Sequence, residues 1–315
     1  MIKIAVVGTG AIGRHHLVAI TESKDCELCA ICDLNQVVLS ELAIQYCVPV
    51  FTDYREIVKG VVVDAVILNL PHWLHCEASI FFLEHGVHVL VEKPMANSTE
   101  ECDKMILAAQ KANKKLAVGH VQRYFMANRK VKEIYQSGRL GELVMFNEMR
   151  SVNYFDANRP KWFLNKSLAG GGIVMNYGAH ALDKLLYILD EKPNFVTSSY
   201  GNRLNDEDIE GHAQFVVRFN NGVSASITFS GYGFVGYEST YIFTKGAIKV
   251  VDTTELWMNL GNGWEKIEVL EDGKHMEKQI REFCNYINGE KSEIVTAEYA
   301  RDIIDTIEAI YKTET

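Results

Sequence analysis

Short apolar runs alternate with amphipathic stretches over roughly the first 118 residues. The runs at 2–7, 27–33, 65–68, 87–91 and 116–118 are almost continuous in Val, Ile, Leu, Ala and Cys, as strands covered on both faces are. Between them, 12–23, 36–45, 73–84 and 99–111 read as helices. Strand–helix alternation with short connections predicts a parallel sheet with helices on both sides. After Gly119 the pattern changes. A helix near 127–136 ends at Ser137-Gly138, and a long helix near 172–189 is stopped by Pro193. Strands without intervening helices follow. Residues 211–219 and 223–230 flank Asn221-Gly222 and read as a β-hairpin, with further strands near 237–244, 247–251 and 255–258. Helices near 276–287 and 296–311 close the chain. The chain therefore reads as α/β, with a parallel-sheet domain over 1–119 and an α+β domain over 120–315 whose sheet is antiparallel or mixed.

The first strand runs into Gly8-Thr9-Gly10-Ala11-Ile12-Gly13, a G-x-G-x-x-G loop that opens the first helix. Asp33 ends the second strand 20 residues beyond Gly13, the position of the acid in the dinucleotide-binding fingerprint. Each glycine has a job. Gly8 permits the tight turn, Gly10 admits a diphosphate to the backbone, and Gly13 lets helix pack on strand. The free amides at the helix start then hold the anion. A ligand-free turn, a flavin site and an S-adenosylmethionine site are the alternatives. Asp33 accepts hydrogen bonds from a ribose diol and repels a 2′-phosphate, and no Arg or Lys occurs in Leu34-Asn35-Gln36-Val37. NAD is thus favoured over NADP.

Composition narrows the partners. The 315 residues carry 41 acids against 32 bases, a net charge of −9, which argues against phosphate-neutralising nucleic-acid binding or anionic lipid. No run approaches the ~18–20 apolar residues of a membrane helix, and no signal peptide is evident. Seven scattered cysteines suit reduced thiols and a cytoplasmic location. Cys26, Cys29 and Cys32 have metal-like spacing. On a regular strand, however, Cys26 and Cys32 point one way and Cys29 the other, so no metal is expected there. The spacings of His72 with His75 and His85 with His88 also lack a completing ligand set.

Three further segments carry a family resemblance. Residues 86–94 read Gly-Val-His-Val-Leu-Val-Glu-Lys-Pro, 119–124 read Gly-His-Val-Gln-Arg-Tyr, and 170–183 read GGGIVMNYGAHALD. With the glycine loop, they make the chain resemble the glucose–fructose oxidoreductase/inositol dehydrogenase/rhizopine-catabolism (Gfo/Idh/MocA) family over nearly its whole length. The resemblance implies an amino-terminal Rossmann domain and a carboxy-terminal domain with a large, open, mostly antiparallel sheet, often used for oligomer contacts. A homo-oligomer, dimer or tetramer, is the corresponding expectation. It also implies NAD(P)-dependent oxidation or reduction of a carbinol carbon in a sugar, cyclitol or nucleotide sugar. Carried across, Lys93 is the active-site lysine and His180 the active-site histidine. Leu70, Pro71, His75, Glu92 and His120 fall near the cofactor. One position departs from the pattern: Asn176 stands where an aspartate is usual, and asparagine cannot accept a proton at neutral pH.

The residues themselves fit such chemistry. Alcohol oxidation needs a hydride acceptor, supplied by the cofactor, and a base for the hydroxyl proton. His180, with an unperturbed pKa of about 6.5, is the favoured base. Lys93 stabilises developing alkoxide charge, or serves as the base itself if burial lowers its pKa. Asn176, His180 and Asp183 recur at i, i+4 and i+7 and share a helix face. Asn176 and Asp183 fit substrate contact and also a plain capping or solvated role. Arg123, Tyr154 and Trp162 complete the candidate substrate contacts; a surface ion pair is the alternative for Arg123 and core packing for Trp162. Asn153 and Arg159 lie on the same approach. The rival readings are a non-catalytic NAD- or sugar-binding regulator of the same fold, motivated by Asn176, and a methyltransferase, which the Lys93 and His180 motifs disfavour.

Overall fold

The amino-terminal apolar runs form β1 (Ile2–Val7), β2 (Cys26–Cys32), β3 (Val50–Phe51), β4 (Ala65–Leu68), β5 (His88–Glu92) and β6 (Leu116–Gly119). All pair in parallel in the order β6-β5-β4-β1-β2-β3, and Val295–Thr296 adds antiparallel to β6. Ile4, Ala5 and Val6 have no exposed surface, which is why the β1 run is apolar without alternation. The chain runs outward from β1 to β3 on one side and then returns to β4 on the other, so the order switches at β1/β4. Ligands of such sheets collect at the carboxyl ends beside that switch. This computed structural model describes residues 1–203, 208–233 and 236–313.

Local sequence explains the helix starts. Asn35 caps Gln36–Tyr46 by accepting from the amides of Val37 and Val38. Ser98 caps Thr99–Ala112 through the Glu101 amide, with Glu100 and Glu101 in the first turn.

The expected domains, 1–119 and 120–315, meet close to a break between compact units at Val121/Gln122, and residues 274–301 return to the first unit. One compact unit comprises Met1–Val121 and Lys274–Arg301, the other Gln122–Gly273 and Asp302–Thr315. Burial is the reason. Met276, Ile280, Phe283 and Cys284 of helix His275–Asn288 pack with Ile4, Val6, Leu17 and Ile20 in one core.

In the second unit, β7 (Leu143–Ser151), β8 (Phe195–Gly201), β9 (His212–Arg218), β10 (Ser224–Ser230), β11 (Tyr237–Phe243), β12 (Gly246–Val251), β13 (Glu255–Asn259) and β14 (Trp264–Ile267) form one sheet. Its order is β14-β13-β12-β11-β7-β10-β9-β8. It is mostly antiparallel, with β7 and β10 parallel. Inspection of the sequence named no strand at β7, because Asn147, Glu148 and Arg150 break its apolar run. In the fold, Phe146, Glu148 and Arg150 are its buried face.

The cysteine spacing is corrected by the sheet. The β1–β2 register shifts between Ile4 and Ala5, pairing Ile4 with Leu28 but Ala5 with Ala30. Cys29 is therefore the extra residue of a bulge, and alternation resets across it. Cys26 and Ile31 enter the same core, so Cys26 and Cys32 do not share a face. Among the described residues, no group of three or more His, Cys, Asp or Glu is arranged to hold a metal ion. Nor is any helix there long and apolar enough to cross a membrane.

Candidate functional site

The glycine loop borders a cleft of about 510 Å³ in the first unit. It is lined by Gly8, Thr9, Gly10, Asp33, Leu34, Asp53, Tyr54, Arg55, Asn69, Leu70 and Pro71 among others. Gly8 has φ +86°, and a Cβ there would lie 2.4 Å from the Asn69 carbonyl oxygen; a Cβ on Gly13 would lie 2.0 Å from that of Gly8. Over Gly10 nothing lies within 4 Å, and helix Ala11–Glu22 begins there without a side-chain cap. A backbone open at Gly10 and an uncapped helix start form a cradle for a diphosphate.

Asp33 Oδ2 accepts from the Thr9 amide at 2.7 Å and the Thr9 hydroxyl at 2.6 Å, and Oδ1 accepts from the Asn35 amide at 2.9 Å. Burial opposes its ionisation, but hydrogen bonds from Thr9, Asn35 and Leu34 outweigh that and hold the carboxyl below its usual range. The cleft thus presents a fixed anion. Its one basic lining residue among the described residues is Arg55. That guanidinium pairs with Glu77, contacts Asp53 at 3.5 Å and lies 4.5 Å from the centre of the Tyr54 ring. These residues fit a dinucleotide with a free ribose diol better than one with a 2′-phosphate.

Lys93 follows the carboxyl end of β5, partly buried. Its amide donates to Glu92 Oε2 at 3.2 Å, while Glu92 Oε1 lies 2.9 Å from His16 Nε2. Glu92 therefore organises the chain leading into Lys93, with a wholly buried His16 behind it. Leu70 and Pro71 line the cleft, whereas His75 does not. His75 is wholly buried, with Nδ1 2.9 Å from the Pro94 carbonyl and Nε2 2.8 Å from the Leu70 carbonyl. It ties the 70–75 loop to the segment after Lys93. His120 is buried just beyond β6, its amide donating to Val118 at 2.9 Å.

In the second unit, Asn176 lies in a wide π-turn, Val174–Gly178, and His180 in the helix Ala179–Leu189 that continues it. The expected single α-helix from 172 is thus interrupted at Asn176. Such turns are frequent at functional sites. Asn176 and His180 are 7% and 8% exposed and Asp183 is fully buried. Asp183 pairs with Arg123 at 2.5 Å, and the Arg123 guanidinium lies 5.0 Å from the Tyr187 ring centre. Arg123 and Asp183 thus brace the site helix through each other. Tyr154 is fully buried with its hydroxyl beside the Asn176 side chain. Trp162 stacks on Phe163 at 3.7 Å.

Sequence inspection missed the device that starts this helix. Glu210 Oε1 accepts from the Gly172 amide at 2.9 Å and the Val174 amide at 2.8 Å; Oε2 also lies 2.9 Å from the Gly172 amide. Tyr311 donates its hydroxyl to Glu210 at 2.8 Å and accepts from the Met175 amide at 3.2 Å. The glycines make room: a Cβ on Gly171 would lie 2.0 Å from the Tyr311 hydroxyl, and one on Gly172 would lie 2.2 Å from the Glu210 carbonyl oxygen. Burial of Glu210 outweighs these hydrogen bonds and raises its pKa. Glu210 sits 38 residues from Gly172 with no motif around it, and only the glycine run hinted at a close approach. Asp53, Tyr54 and Arg55 were missed for a similar reason, since they follow the two-residue β3.

Residues 2–120 match the oxidoreductase family with an NAD-binding Rossmann fold, and residues 128–249 match the GFO/IDH/MocA C-terminal domain. A 1-carboxy-3-chloro-3,4-dihydroxycyclohexa-1,5-diene dehydrogenase from Comamonas testosteroni is 32% identical over 231 residues, 73% of this chain and 58% of that protein. A D-glucoside 3-dehydrogenase from Escherichia coli K12 is 31% identical over 192 residues, 60% of this chain and 54% of that one. The chain thus matches little more than half the length of these relatives. An aldose-aldose oxidoreductase from Caulobacter crescentus, solved with glycerol, shares the fold with a TM-score of 0.90 at 24% identity, covering 99% of this chain and 97% of the other.

Proposed function

The chain belongs to the Gfo/Idh/MocA oxidoreductase family, and we propose that it transfers a hydride between NAD and a carbinol carbon of a sugar, cyclitol or sugar derivative. The relatives that dehydrogenate a glucoside and a dihydroxylated ring support that substrate class. The observation that carries the reading is the cleft of the first unit: an open glycine cradle ending at an ionised Asp33, with its basic side chain already paired. Gly8 to Gly13 hold the diphosphate, Asp33 the adenosine ribose, and Leu70 and Pro71 flank the cofactor.

Bound NAD supplies the hydride acceptor. His180 takes the hydroxyl proton as the C–H bond gives up its hydride, leaving a carbonyl; in reduction it returns the proton. Lys93 donates to the reacting oxygen and stabilises negative charge developing there. Asn176 contacts substrate as a neutral hydrogen-bonding group, and Tyr154 and the Arg123–Asp183 pair hold the wide turn and helix that present Asn176 and His180. Trp162 supplies an apolar ring face. A homo-oligomer belongs to the same reading, as does a cytoplasmic location, which the seven free cysteines support.

Lys93→Met and His180→Ala test it. Each should lower turnover at least about 100-fold while NAD binding, read by protein fluorescence, stays near wild type. Wild-type rates in either variant would remove that residue from the mechanism. If a broad panel of polyols, sugars and keto-sugars gives no cofactor turnover, the non-catalytic binding reading replaces this one.

A further inference from the structure

The charged side chains around the His180 helix are nearly all spoken for. Arg123 pairs with Asp183, and Lys184 pairs with Glu148 while donating to the Tyr237 and Ser239 hydroxyls. The Glu210 carboxylate faces backbone amides and Tyr311. Two guanidinium groups differ. Arg150, on the buried face of β7, lies 4.7 Å from the Tyr177 ring centre and 4.0 Å from that of Tyr237. Arg159 lies 4.2 Å from the Tyr154 ring centre and 5.2 Å from that of Phe163. Neither forms an ion pair with a carboxylate among the described residues, and Arg150 Nη1 and Arg159 Nε are buried without a hydrogen-bond acceptor.

Ring faces offset part of the cost of burying these cations. They do not satisfy in-plane N–H donors, which remain costly to bury unless an acceptor completes them. The arginines adjoin the candidate site through two neighbouring rings, Tyr177 for Arg150 and Tyr154 for Arg159. Tyr177 follows Asn176 directly, and Tyr154 packs edge-on against Tyr177 at 6.1 Å, with its hydroxyl beside Asn176. Arg150 is 8% exposed, whereas Arg159 is only partly buried. Arg159 is therefore the one a ligand can reach, while Arg150 adds fixed positive charge against Tyr177.

Building on the oxidoreductase reading, we propose that the substrate carries a carboxylate and that the Arg159 guanidinium receives it. A planar fork of N–H donors matches a carboxylate in a bidentate way. Phosphate fits less well. Its extra charge and oxygens call for additional donors, and the amides that open the Asn176 turn, Gly172 and Val174, are already committed to Glu210. The stacked Trp162–Phe163 faces beside Arg159 offer apolar surface for a sugar ring.

The test uses the full chain and a panel of hexuronic and aldonic acids, each with its neutral parent sugar and sugar phosphate. Turnover is read with NAD, and binding by calorimetry with NADH present. At least one acid should bind and react about 100-fold better than its neutral parent. That ratio should collapse in Arg159→Met and recover in part in Arg159→Lys, which keeps the charge but loses the fork. NADH affinity and melting temperature report whether the variants remain folded. The proposal fails if no acid binds, if neutral parents or phosphates match the acids, or if the acid preference survives Arg159→Met. Turnover of neutral sugars alone would overturn it while leaving the dehydrogenase reading intact. Arg159-dependent binding of an acid without turnover would keep it and count against that reading.

Discussion

Glu210→Ala isolates the device that starts the site helix. The carboxylate accepts from the Gly172 and Val174 amides and from the Tyr311 hydroxyl. Each buried donor deprived of its acceptor costs about 1–3 kcal/mol. The hydroxyl can rotate toward another acceptor, but the amides are fixed by the chain, so about 2–6 kcal/mol is at stake. Some relaxation into the vacated space should bring this to about 3–4 kcal/mol. Glu210→Gln should cost about 1 kcal/mol or less, because an amide oxygen placed at Oε1 still serves Val174, Gly172 and Tyr311. The pH dependence should separate the two forms further. The folded-state pKa of Glu210 is raised, chiefly by burial. Its contribution to stability is therefore present below the unfolded-state pKa and is lost as the pH rises through the folded value. The wild type should accordingly lose ground to Glu210→Gln as the pH rises from about 4.5. Urea denaturation at several pH values measures this, and turnover should fall in the alanine variant with the KM for NAD unchanged. An alanine variant within about 1 kcal/mol of wild type, with normal turnover, would refute the capping role.

The cofactor and the sheet supply two more expectations. Asp33→Ala removes the anion that would face a 2′-phosphate, so the ratio of kcat/KM for NAD over NADP should fall at least about tenfold; an unchanged ratio would show that Asp33 does not read the ribose. His88 is partly buried, accepts the Lys115 amide at Nδ1 at 2.9 Å, and has its pKa lowered to about 4, mainly by desolvation. The unfolded chain therefore binds the proton first, and stability should fall as the pH drops from about 6.5 toward about 4. That slope should flatten in His88→Asn, which keeps an acceptor but cannot protonate in this range; equal slopes in denaturation titrations would discount His88.

What could be read in advance followed from periodicity and short-range chemistry. The Rossmann strands announced themselves because β1 and β4 are buried on both faces, and the loop because its glycines lie within six residues. β7 stayed hidden because its inward face carries Glu148 and Arg150, polar residues that only partners on other elements make tolerable there. The Cys29 bulge is a registration event between two strands, invisible along either one. The helix His275–Asn288 has an apolar stripe that shows what it buries but not against which sheet. Glu210 and Tyr311 illustrate the general limit: a cap supplied from distant sequence has no local signature, although Gly171 and Gly172 record the space it needs.

Asn176 and Arg159 make physical sense together. An aspartate at 176 would set a carboxylate beside the Tyr154 hydroxyl, next to the ring over which Arg159 lies. That carboxylate would neutralise part of the local field from within the protein. Asparagine keeps a hydrogen-bonding group of nearly the same shape while withholding the charge. In the mechanism proposed above, proton acceptance then falls to His180, and the positive charge of Arg159 is available to a ligand. Arg123 and Lys184 show the contrast: each is paired with a buried carboxylate, Asp183 or Glu148. Such buried pairs add little net stability but fix orientation. A site in which Arg159 pairs with no carboxylate among the described residues, and in which an amide stands at 176, suits a substrate that brings its own negative charge.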